Sequence, residues 1–181
     1  LPTSLSPVYP TIAQLPQAYL RKAVASALAR APLQEVLPGD ALPAVDTPEA
    51  LRAALLAADA IYLPDPERAT AGIHFAKVLR ELGIDEAVRP RLHPFANGAT
   101  AMRELAAATS SRPIGCTPHT EILYTPGVRL VGALPRAFEL ATVYVAAVSA
   151  RTADAALARR FVQLLAGADA HALRSAGGFE S

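Results

Sequence analysis

From residue 46 onward the apolar positions follow two rhythms, a helical one and a short continuous one, and the two alternate along the chain. Thr47-Pro48-Glu49 reads as an N-cap, an N1 proline and an acidic first turn, and Leu51, Ala54, Leu55 and Ala58 follow at helical spacing. The apolar run 58–63 predicts a strand, and 73–82 predicts a helix. That helix places Phe75, Leu79 and Leu82 on one side and Lys77, Arg80 and Glu81 on the other, and Gly83 stands where a helix C-terminus wants glycine. The order then repeats. Residues 91–95 read as a strand, and Asn97-Gly98 leads into a helix whose apolar stripe is Ala101, Met102, Leu105 and Ala106. Residues 113–116 and 127–132 read as further strands, with a short helix over 117–124 between them.

The uncharged, mostly apolar run 141–149 predicts a strand buried on both faces. Leu157, Phe161, Leu164 and Leu165 mark a closing helix that ends at Gly167, and a last short helix covers 169–175. Strands alternating with helices of this length predict an α/β fold, a three-layer sandwich with a largely parallel sheet that binds ligands at the carboxyl ends of its strands. The N-terminal part is different. Pro2, Pro7, Pro10, Pro16, Pro32, Pro38 and Pro43 interrupt it, and its only helix-compatible stretch is 17–30. Residues 1–43 therefore read as an unassigned Pro/Ala-rich segment, and 44–181 as the α/β lobe.

Composition narrows the function. The chain has 181 residues, 52% apolar and 18% charged, enough to bury a core and too apolar for disorder. A net charge of +1 and 6% aromatics leave neither an electrostatic footprint nor a stacking platform for nucleic acid. The single Cys116 excludes an internal disulfide and any cysteine-based metal cluster. The chain opens at Leu1 without a basic n-region, an apolar h-region or a cleavage site, and so reads as processed or truncated.

The segment 65–72, Asp-Pro-Glu-Arg-Ala-Thr-Ala-Gly, joins the first predicted strand of the lobe to a helix. Such a junction offers backbone N–H groups and the positive end of a helix dipole to an anion. Its only glycine is Gly72, so it is neither a phosphate loop nor a dinucleotide fingerprint. Arg68 reads as an exposed residue beside this turn, and Tyr144 as strand packing. His74 and His119 lack the carboxylate partners and i,i+4 spacing of a metal site. Cys116, with no Cys-x-x-Cys and no adjacent base, reads as a small buried hydrophobe. Thr117, His119 and Glu121 could be drawn as an acid–base group, but their spacing favours a solvated or pocket-lining role. No nucleophile–base pair, metal cluster or cofactor loop emerges, so the chain is expected to be non-catalytic and to need no cofactor.

Several of these words stand in a familiar order. Asp65-Pro66-Glu67 to Ala71-Gly72, Leu82-Gly83, Asn97-Gly98, Ile114-Gly115, Pro126-Gly127-Val128 and the ending from Phe161 through Gly177-Gly178-Phe179 resemble the periplasmic molybdate-binding proteins. Those proteins are solute-binding components of ABC importers with the type 2 periplasmic binding protein fold, and the resemblance spans about 44–180. It implies a small tetrahedral oxyanion such as molybdate or tungstate, held without a metal by hydroxyl and backbone N–H donors, an ABC permease as partner, and a periplasmic or extracytoplasmic location. Position by position it implies contacts from the N–H groups at Ala71 and Gly98, with Thr70 and Ala99 beside them. Where the family presents a tyrosine hydroxyl this chain has Pro118, which leaves Thr117 and His119 as neighbouring substitutes. The family's first lobe would precede residue 44, and residues 1–43 do not resemble it. The chain is then a fragment, carries a diverged first lobe, or completes its cleft as a homo-oligomer. A ligand-sensing regulatory domain of the same fold is the alternative.

Overall fold

The computed structural model of the protein describes residues 17–27 and 42–180, with the backbone alone for 17–27 and for residue 180. Its centre is a sheet in the order β3-β2-β4-β1-β5, built from β1 (Gln17–Ala27), β2 (Ala60–Pro64), β3 (Leu92–Phe95), β4 (Pro113–Pro118) and β5 (Val128–Ala133). β2 runs parallel to both β3 and β4, while β1 lies antiparallel between β4 and β5. The first half of β1 pairs instead with β6 (Ala141–Val145) and β7 (Phe179–Glu180), Gln17 standing opposite Val145 and Leu20 opposite Phe179.

Two layers of helix cover the sheet. α1 (Pro48–Ala57) and α2 (Thr70–Glu81) place Leu51, Leu55, Phe75, Val78 and Leu79 in one core with Ile61, Leu63 and Ile114, and Val88 closes it from the short α3 (Asp85–Val88). On the opposite face α4 (Gly98–Ala106) and α5 (His119–Leu123) pack Ala101, Met102, Leu105 and Ile122 against Tyr62, Phe95, Val128 and Leu130. The alternation of Ile61, Tyr62 and Leu63 between the two cores is the period-two pleat of a strand buried on both sides.

Local chemistry fixes these boundaries. Thr47 accepts from the Ala50 N–H at 3.1 Å and caps α1 ahead of the N1 proline. α2 ends in a Schellman motif: Gly83 takes φ 64, its N–H bonds Arg80 O, and the Ile84 N–H bonds Leu79 O. The Arg91 guanidinium donates to the carbonyls of Leu56, Ala58 and Ala87, closing the C-terminal end of α1. The Asp59 carboxylate accepts from the N–H groups of Ser111 and Arg112 and so aligns the starts of β2 and β4.

Three expectations change. Of the stretch 17–30, predicted as helix-compatible, residues 17–27 form the central strand β1 and 28–30 lie outside the described residues; pairing on both sides outweighs the weak helical preference of an Ala-rich run. This strand of the sheet lies on the N-terminal side of residue 44. Thr117 belongs to β4, and the helix after it begins at His119. The apolar run from 141 forms a strand only to Val145 and is not buried on both faces. Val143 is 46% exposed and Tyr144 50%, with the ring of Phe179 edge-on to Tyr144 at 5.9 Å. Lack of charge mimics a doubly covered strand, but β6 pairs beyond the two helical layers, with the outer half of β1. The closing helix α6 (Ala155–Ala166) forms where predicted and is capped by Asp154, yet buries none of its residues; Leu164 is 71% exposed. α7 (His171–Ala176) follows, after a 3-10 turn at Ala168–Ala170.

Candidate functional site

β2, β3 and β4 point the same way, so their carboxyl ends share one edge of the sheet, and each end leads, directly or through a short turn, to the start of a helix. The chain leaves β2 for α2 on one face, reaches β3, then leaves β3 for α4 on the other face and crosses to β4. Adjacent strands whose helices depart to opposite faces open a crevice between the two helix heads, the place where open α/β sheets bind ligands.

The first head is α2. Asp65 organises the turn before it: its Oδ1 accepts from the N–H groups of Glu67 and Arg68 at 2.8 and 3.0 Å, its carbonyl accepts from Ala69, and its own N–H donates to Phe95 O at 2.6 Å. The last bond ties the end of β2 to the end of β3. A Cβ at Gly72 would overlap the carbonyl oxygens of Pro64 and Asp65, so the glycine lets the first turn of α2 sit directly on the end of β2. No side chain caps α2. Thr70, Ala71 and Gly72 carry the N–H groups that a helix start leaves without intrahelical partners. Thr70 is exposed and Ala71 is 8% exposed.

The second head is α4. Asn97 caps it by accepting from the Thr100 N–H at 2.8 Å, and the Ala101 N–H bonds Asn97 O, so Gly98 and Ala99 carry the remaining first-turn donors. A Cβ at Gly98 would overlap Thr117 Oγ1 and Glu121 Oε2. The fully buried Thr117 hydroxyl donates to Glu121 Oε2, and Thr125 Oγ1 holds the end of the same helix through Glu121 O. A strand end, a helix head and a carboxylate therefore meet at Gly98, with half-buried Pro118 and His119 forming the junction between β4 and α5.

The structure thus gathers Gly98, Ala99, Thr117, Pro118 and His119 near the α4 head and sets Thr70 and Ala71 at the α2 head, on the opposite face of the sheet. Glu121 joins the first group although Thr117 and Glu121 are four residues apart in sequence, because the strand-to-helix corner at Pro118 folds one toward the other. A proline between a buried strand and a short helix was the available signal. Other candidates have separate roles. His74 Nε2 lies 2.8 Å from Phe138 O and joins α2 to the 3-10 turn Arg136–Phe138, Cys116 is 2% exposed inside β4, and Arg68 is exposed. Among the described residues no three His, Cys, Asp or Glu side chains form a metal-ligand group, and no helix is long and apolar enough to cross a membrane.

Two solved structures share this architecture. The substrate-binding domain assigned to a molybdenum ABC transporter of Clostridium difficile superposes with a TM-score of 0.60 at 11% identity, covering 93% of this chain and 69% of that one. The periplasmic molybdate-binding protein of Azotobacter vinelandii gives 0.58 at 17% identity, with 92% and 68% covered. At such identities the likeness establishes the fold, a mixed α/β periplasmic-binding-protein fold. No curated protein sequence matches the chain. The family model for bacterial extracellular solute-binding proteins matches residues 6–180. With nearly its whole length inside that match, the chain belongs to the bacterial extracellular solute-binding protein family.

Proposed function

We propose that this chain captures a small tetrahedral oxyanion, with molybdate and tungstate the first candidates, outside the cytoplasm and delivers it to an ABC permease. The role is binding rather than catalysis. What supports the reading is the pair of helix heads that follow the adjacent parallel strands β2 and β3 and pack on opposite faces of the sheet, each with first-turn N–H groups that lack intrahelical partners. Donors at Thr70, Ala71, Gly98 and Ala99 would share the charge of the anion with two helix dipoles, and no metal is needed. Thr117, Pro118 and His119 would border the α4 side. Molybdate is favoured by the two structural relatives, whose descriptions name molybdenum and molybdate, and tungstate is the tetrahedral dianion of the same charge and shape.

Binding to the folded state alone must stabilise it. At free molybdate about a hundredfold above Kd the gain is about 2.7 kcal/mol, a rise in Tm of roughly 5–11 °C for a domain of this size. A melting point unmoved by molybdate, tungstate, sulfate and phosphate at millimolar concentrations would contradict the reading.

A further inference from the structure

We propose that two copies of this chain form a two-fold dimer through the unit built from β6, β7, α6 and α7: the β6 strands of the two copies pair antiparallel across the axis, and the outward apolar stripe of each α6 is buried in the same interface.

α6 is apolar on two faces. Ala155, Ala158, Val162 and Ala166 are half-buried and recur at the spacing of one helix face, the face turned toward the rest of the chain. Leu157, Phe161, Leu164 and Leu165 form a second stripe, turned away from the first and exposed. Arg159, Arg160 and Gln163 lie outside both, on the polar strip of the helix, so no charge interrupts the outward stripe. A helix with two apolar faces calls for cover on both.

β6 presents a second surface of the same kind. It pairs with β1 along one edge, and among the described residues nothing pairs with the other. Edge strands are ordinarily guarded by lysine, proline or a bulge, yet β6 has no charged residue and no proline, and Val143, Tyr144 and Val145 are about half exposed. An unguarded edge fits a second unguarded edge, and each copy of the chain brings one in β6 itself. Antiparallel pairing of a strand with its own copy is generated by a two-fold axis and closes at two, which removes both edges at once.

The strand and the helix belong to one unit. The ring of Tyr144 meets that of Phe179 in β7 edge-on at 5.9 Å. Arg174 of α7, the helix before β7, donates to the carbonyls of Leu165 and Gly167 at the end of α6, both at 2.9 Å. With Leu173 of α7, the exposed side chains of the α6 stripe and of β6 stand 45–78% open. Together they present on the order of 800 Å² of apolar surface. That matches what one partner buries in a stable interface of standard size, roughly 800 Å².

Sedimentation equilibrium of the 181-residue chain measures the associated mass. The expected result is a closed dimer, twice the 18.9 kDa of the chain, with a dissociation constant of about 10 µM or below and no larger species. Leu164→Glu, which sets a charge in the buried stripe, and Val143→Lys, which guards the strand edge, are each expected to raise the dissociation constant at least about a hundredfold with the circular dichroism of the fold retained. Gln163→Glu, on the polar strip of α6, is expected to leave it unchanged. Should the charged variants fail to fold, Leu164→Gln takes their place, with a rise of about tenfold expected. A chain that stays monomeric up to about 100 µM, its stripe left to other residues of the chain or to another polypeptide, would overturn the proposal. So would an open series of larger species, or a dimer that a folded stripe or edge variant leaves intact.

Discussion

The hydroxyl oxygen of Thr117 lies where a Cβ of Gly98 would have to be, so the end of β4 and the head of α4 touch through a position that accepts no side chain. Proline is ordinarily welcome at the first residue of a helix, but here its ring would bring the forbidden Cβ, and Gly98→Pro would disturb packing as well as remove a donor. Gly98→Ala must displace Thr117 or swing Glu121 aside. The expected cost is about 2 kcal/mol of overpacking, seen by differential scanning calorimetry as a fall of roughly 4–8 °C in Tm.

Gly72 is the more rigid case, because the atoms that a Cβ would meet are backbone carbonyls of Pro64 and Asp65 rather than side-chain ends. Gly72→Ala should therefore cost more than Gly98→Ala, about 3 kcal/mol, or roughly 6–12 °C in Tm. Equal melting points for Gly72→Ala and the unchanged chain would show that α2 does not rest on the end of β2 as described.

Cys116 is enclosed in β4, 2% exposed, with Val24 opposite in β1. A buried thiol reacts only when the strand opens. An aromatic disulfide reagent is expected to leave the native chain unlabelled on a timescale of minutes and to modify one thiol in denaturant. Rapid labelling of the native chain would contradict the central place of β4.

The sequence was most readable where local chemistry and tertiary packing agree. Thr47-Pro48-Glu49, Asn97-Gly98 and Gly83 mark helix ends through caps that do not depend on the rest of the fold, and each stands where the spacing predicts. It was least readable where partners distant in sequence decide. Residues 17–27 have a composition compatible with a helix and become the central strand because β4 and β5, about a hundred residues later, supply both pairing edges. The stripe Leu157, Phe161, Leu164 and Leu165 predicts a helix correctly but not its surroundings; all four side chains are exposed in the described structure. Around the candidate site the helix starts near Ala71 and Gly98 followed from turn residues and resemblance. The contact of Glu121 with Gly98 required the corner at Pro118, whose direction no spacing rule gives.

The most direct test of the account is calorimetric titration of molybdate into the chain and into Ala99→Pro, which removes one first-turn N–H without entering the crowded position 98. The account predicts saturable one-to-one binding by the chain and, for a lost hydrogen bond to an anion, a weakening of about tenfold to a hundredfold in the variant. Equal affinity in a folded Ala99→Pro protein, or no binding of molybdate, tungstate, sulfate or phosphate by the chain, would contradict it.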